Sequence, residues 1–60
     1  MENSFKWQLG TCVEIAASKE QGTVIGRAQY SHAENTYLVR YSGGDGRAVE
    51  VWWAESALSP

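Results

Sequence analysis

Apolar and polar residues alternate along this chain with a period of two. The pattern is sharpest over residues 36–53, T-Y-L-V-R-Y-S-G-G-D-G-R-A-V-E-V-W-W. Two runs dense in β-branched and aromatic residues flank Ser42-Gly43-Gly44-Asp45-Gly46, whose glycines supply the positive φ that a reversal needs, so the segment predicts a β-hairpin. Alternation then separates Tyr37, Val39 and Tyr41 from Leu38 and Arg40 on the first strand. On the second it separates Val49, Val51 and Trp53 from Ala48, Glu50 and Trp52. One of these faces must be core.

The order T-C-V-E-I-A over residues 11–16 puts Val13 and Ile15 opposite Cys12 and Glu14, as in a half-buried strand. Ser18-Lys19-Glu20-Gln21-Gly22 is polar, ends in glycine and reads as a loop. Residues 23–31 read as a longer strand, with a bend, bulge or close backbone approach expected at Gly26. His32-Ala33-Glu34-Asn35 forms the next turn. Ala54-Glu55-Ser56-Ala57-Leu58 is too short for a lasting helix and predicts a single 3₁₀ turn, with Leu58 closing the barrel bottom. Residues 1–8 show no clear period and are expected to be a flexible N-terminal arm, whose Phe5 and Trp7 can fold back onto the domain or onto a partner. Residues 9–60 then form the folded domain. Four to five short antiparallel strands, a long first loop and a terminal 3₁₀ turn describe an all-β, SH3-like small barrel, the architecture also of Tudor and KOW modules.

Length changes this picture first: 60 residues make one domain near the lower limit at which apolar burial alone sustains a fold, which raises the prospect of a homo-oligomer. The single Cys12 excludes an intrachain disulfide, and His32 has no Cys/His cluster with zinc-ligand spacing, so no metal site is expected. A reduced, cytoplasmic setting fits best. No apolar run reaches signal-peptide length or the ~20 residues of a membrane span, so no membrane association is expected. The formal net charge of −2 argues against a duplex nucleic-acid partner. A Tudor- or KOW-like reader of nucleic acid or peptide would need Arg27, Arg40 and Arg47 to gather on adjacent strands.

Catalytic constellations are nearly absent. His32 lies in a polar turn with no nucleophile beside it, Cys12 is expected to be a small buried or boundary thiol, and the glycines at 43, 44 and 46 lack the following helix of a phosphate loop. The aromatic residues are the better clue. With Val49, Val51 and Trp53 inward, Glu50 and Trp52 face out beside Leu38 and Arg40, an apolar surface bordered by one acid and one base and suited to a protein contact. A weaker expectation is a cation cage built from Tyr30, Tyr41, Trp52 and Glu50.

Several stretches resemble the plasmid-borne type II dihydrofolate reductases, themselves SH3-like barrels. Leu9-Gly10-Thr11-Cys12-Val13 is similar to their approach to the first strand, Gln21-Gly22-Thr23-Val24-Ile25-Gly26 to their Gln-Gly-x-Ile-Val-Gly, Thr36-Tyr37-Leu38-Val39 to their Gly-Tyr-Ala-Val, and Ala57-Leu58 to their final Ala-Leu. The resemblance implies a tetramer, an origin in a mobile element, and a shared pore that holds NADPH and dihydrofolate on a Val-Gln-Ile-Tyr run together with a first-strand lysine. The matching run here is Val49-Glu50-Val51-Trp52, and Ile15 stands near the lysine's place. Under that reading Glu50, Val51 and Trp52 would line the pore. Four Glu50 carboxylates there would repel an anionic cofactor and substrate, whereas Gln offers both donor and acceptor. The expected function is therefore a non-catalytic binding or assembly module without a cofactor, acting on a protein partner or on itself through Trp52, Glu50, Leu38 and Arg40. A reductase-like oligomer is the alternative.

Overall fold

The structure, a computed structural model, describes residues 5–60. It is an all-β, SH3-like fold of five antiparallel strands curled into a half-barrel, with one 3₁₀ turn near the C-terminus. The strands are β1 (Cys12–Ile15), β2 (Gln21–Ala28), β3 (Thr36–Ser42), β4 (Ala48–Ala54) and β5 (Leu58–Ser59), in the spatial order β4-β3-β2-β1-β5. The 3₁₀ turn, Glu55–Ala57, separates β4 from β5. No helix among the described residues is long and apolar enough to cross a membrane.

Alternation sets the two faces of the sheet. Val13, Ile15, Val24, Tyr37 and Val39 are essentially fully buried on the concave face. Leu58, the first residue of β5, pairs with Ile15 and closes the bottom of this core. Gly22 is buried among them because the backbones come close: a Cβ there would lie 2.6 Å from the Arg40 carbonyl oxygen and 2.7 Å from Val39 Cγ1. The polar loop expected over residues 18–22 is thus shorter, because Gln21 and Gly22 already belong to β2. Its tight part is 16–20, where Lys19, at φ 65°, donates its N–H to the Ile15 carbonyl. β2 also ends before Ser31. Its ladder with β3 slips between Val24 and Gly26, leaving Ile25 as the extra residue of a β-bulge.

The hairpin ladder runs unbroken from Thr36↔Ala54 to Ser42↔Ala48. Of the turn glycines only Gly46 has positive φ, 84°, and its N–H closes the turn onto the Gly43 carbonyl.

The arm expected over residues 1–8 lies outside the described residues for 1–4. Of the remainder, Trp7 is buried in the core and Phe5 packs against it. Phe5 meets Tyr37 edge to face at 6.0 Å and carries the Arg27 guanidinium 4.5 Å above its ring. The Tyr37 hydroxyl joins the two ends of the described chain: it accepts the Lys6 N–H at 2.8 Å and donates to Glu55 of the 3₁₀ turn. Burial and that bond raise the Tyr37 pKa. The same hydroxyl, together with the Lys6 N–H and the Lys6 charge, holds the Glu55 carboxyl below its usual value. Glu34 accepts the Ser56 N–H and hydroxyl, and the Asn35 carbonyl accepts the Glu55 N–H, so the loop after β2 is tied to the turn as well.

Candidate functional site

The convex face of β3 and β4 brings Leu38, Arg40, Glu50 and Trp52 together. In the ladder Leu38 lies opposite Trp52, and Arg40 lies opposite Glu50. Trp52 is 51% exposed and Leu38 is half-buried. Leu38 also pairs with Gly26, which makes Gly26, Leu38 and Trp52 one row across three strands. A Cβ on Gly26 would meet Trp52 Cη2 at 3.6 Å and Leu38 Cβ at 3.2 Å, so the far edge of the indole reaches across the Leu38 row to Gly26 of β2. The glycine therefore marks both the bulge and the bed of an exposed tryptophan. Ile25, the bulged residue, adds a further 40%-exposed apolar side chain to this stretch of β2.

The next row is polar. Arg40 Nε lies 3.2 Å from Glu50 Oε2, with both side chains about half exposed. A pair of this kind contributes little to stability, but it fixes one positive and one negative group beside the Trp52 plateau. Cys12 and Thr23 continue the row. The expectation of a buried or boundary thiol is corrected: Cys12 is exposed, because it shares the convex face with Thr23 while Val13 takes the core position. An open, shallow groove runs beside this row, between Cys12, Gln21, Thr23, Arg40 and Ala48.

Other sequence candidates are kept apart. Tyr41 lies on the concave face opposite Val49, so it does not join Trp52 in a cation cage. Tyr30 bonds Thr36 and sits beside His32, which is itself exposed. Arg27 packs on Phe5, Arg40 pairs with Glu50, and Arg47 lies 3.5 Å from Asp45 in the hairpin turn, so the three arginines form no common basic patch. Among the described residues no three His, Cys, Asp or Glu side chains come together in a way that could hold a metal ion.

A feature not anticipated from the pattern lies on the other face of β4. Val49, Val51 and Trp53 do share the side of Tyr41, Val39 and Tyr37, their ladder partners, yet Val51 stays 36% exposed. The sheet has curled only halfway, and none of the described residues covers Val51 at this end of the concave surface. The hydrophobic alternation that assigns Val51 to the inner face carries no information on whether the barrel closes over it. In comparisons with known proteins, no family model, no curated protein and no solved structure matches this chain.

Proposed function

We propose that this domain is a non-catalytic binding module that docks a protein partner on the convex face of β3 and β4, with Trp52 as the anchor. The observation that carries this reading is the placement of the Trp52 indole, half exposed, opposite Leu38 in the ladder and with its far ring edge beside Gly26, with the Arg40–Glu50 pair along one side. A large aromatic that is pre-positioned loses little side-chain entropy on binding, and an apolar centre bordered by charges is the usual composition of an interaction hot spot. The partner that fits presents an apolar side chain ringed by polar groups to this plateau. The resemblance to type II reductases rests on the quoted residues alone, and Glu50, already paired with Arg40, offers an anionic cofactor no donor.

The test is a capture experiment comparing the domain with its Trp52→Ala variant. The variant is expected to keep its circular dichroism and to lose the protein that the parent retains in stoichiometric amount. Equal retention by both would remove Trp52 from the site. A saturable quenching of tryptophan fluorescence by NADPH would instead favour the reductase-like oligomer.

A further inference from the structure

β4 has the most apolar composition of the long strands, Ala-Val-Glu-Val-Trp-Trp-Ala, and it has no buried residue. β1, β2 and β3 each alternate buried with solvent-facing positions. Among the described residues β4 is also the terminal strand of the sheet, hydrogen-bonded to β3 alone. Exposed edges are ordinarily blunted by proline, charged side chains, a bulge or short length. β4 is seven residues long, contains no proline, runs without a register shift, and its one charged side chain, Glu50, is paired with Arg40 of β3. The opposite edge, β5, is two residues long. Among the described residues one edge of the sheet is thus protected by its shortness while the other is left open.

We infer that the free edge of β4 is a pairing surface for a second copy of this chain, joined as an antiparallel strand about a two-fold axis at Val51. This goes beyond the reading of the convex plateau, since it uses the backbone edge and the concave row. The choice of occupant follows from the strand's own order. Full overlap of two such strands about a two-fold axis requires the axis at the central residue, Val51, and brings Ala48 opposite Ala54, Val49 opposite Trp53, Glu50 opposite Trp52 and Val51 opposite its own copy. Face parity is preserved in that register. The concave row Val49, Val51 and Trp53 continues into the partner's Trp53, Val51 and Val49, and the half-covered ends of the two half-barrels close on each other. The two Glu50 carboxylates are not directly opposite, and each is already neutralised by its own Arg40 at 3.2 Å. A register with the axis one residue earlier would set Glu50 against Glu50 and would leave an end unpaired. The sequence therefore specifies the register as well as the face.

Sedimentation equilibrium of the whole chain from micromolar to several hundred micromolar, combined with cysteine trapping, tests this. Residues opposite each other in an antiparallel ladder have Cα atoms about 4.5–5.5 Å apart, within disulfide reach. In a Cys12→Ser background, Val51→Cys is expected to oxidise rapidly to a covalent dimer, whereas Ala48→Cys, whose two copies lie at opposite ends of the joint strand, is not. Val51→Lys puts two ammonium groups on the axis and is expected to weaken the dimer by about 30-fold or more, the scale of a central interface residue, while the fold seen by circular dichroism persists because Val51 is exposed. A monomer at all concentrations overturns the inference, and so does equal trapping through Ala48→Cys and Val51→Cys. Neither measurement depends on partner capture by Trp52, so the two readings fail separately.

Discussion

Val39 and Val51 are the same residue type, directly paired, on the same face of the same sheet; one is fully buried and the other is 36% exposed. The first belongs to β3, which has neighbours on both sides and beneath it the side chains of β1, β2 and the residue 5–7 segment. The second belongs to β4, which among the described residues has one neighbouring strand and no layer over Val51. Burial in a sheet is thus decided by what lies across the curl, not by the strand's own pattern. The buried core of this molecule is built by Trp7 and by β1, β2, β3 and β5, and β4 adds only Trp53 against it and otherwise contributes a surface. The functional proposals both fall on β4 for that reason: Trp52 on its convex side and the free edge beside Val51.

The largest effect that separates the two regions is expected at glycine. Gly22→Ala would drive a Cβ into the Arg40 carbonyl and the Val39 side chain. A loss of about 3 kcal/mol or more in urea unfolding is expected there, at the top of the overpacking range. Gly26→Ala meets Leu38 Cβ at 3.2 Å, which must give by a few tenths of an ångström, and otherwise only Leu38 Cδ2 and Trp52 Cη2 in ordinary contact at 3.6 Å, so its cost is expected to be about 1 kcal/mol. Equal losses at the two sites would mean that the β2–β4 stretch is as tightly packed as the core.

Next comes the valine pair itself. Val39→Ala is expected to cost about 2 kcal/mol and Val51→Ala less than about 1, measured at protein concentrations low enough to keep the chain monomeric. An excess cost for Val51→Ala that grows with protein concentration would report association through β4.

A third comparison sets the tie between the chain ends against the open strand. Tyr37→Phe removes the hydroxyl that joins Lys6 to Glu55 and is expected to cost about 2 kcal/mol near neutral pH, as for a hydrogen bond to a charged group. The pH profile carries the sign. The Glu55 pKa is depressed in the folded chain, so its contribution is present above the ordinary glutamate value and is lost as pH falls through the folded one. The Tyr37 pKa is raised, so its contribution is complete below the ordinary tyrosine value and is lost as pH rises through the folded one. Unfolding free energies of Tyr37→Phe, measured from about pH 3 to 11, a range spanning the ordinary Glu and Tyr pKa values, are expected to show both limbs flattened. An unchanged acid limb would mean that other carboxylates govern it.

The smallest effect is expected on the convex face. Arg40→Ala breaks an exposed ion pair and is expected to change stability by less than about 0.5 kcal/mol. A cost of core size would show that the pair supports the fold and does not merely border the Trp52 plateau.

Much of this architecture was legible in residue order. The hairpin is announced by two β-branched and aromatic runs around Ser42-Gly43-Gly44-Asp45-Gly46, the irregularity in β2 by Gly26, and the closing 3₁₀ turn by a short run ending in Leu58. Each rests on local chemistry: side-chain alternation, the freedom of glycine, or length. The cross-strand neighbours Leu38–Trp52 and Arg40–Glu50 follow from the hairpin register for the same reason. The side of β1 that carries Cys12 was legible too, but its exposure was not, because alternation does not record whether another segment covers the convex face there.

The amino-acid order by itself determined the strands, their facing and the row in which Trp52 stands, since these depend on residues within a few positions of one another. Only the tertiary structure decided that Trp7 enters the core, that Tyr37 bridges Lys6 and Glu55, that the Trp52 indole reaches Gly26, and that the curl stops short of covering Val51. Those outcomes depend on which distant segments meet across the sheet, and a period of two records the side a residue faces but not what waits there.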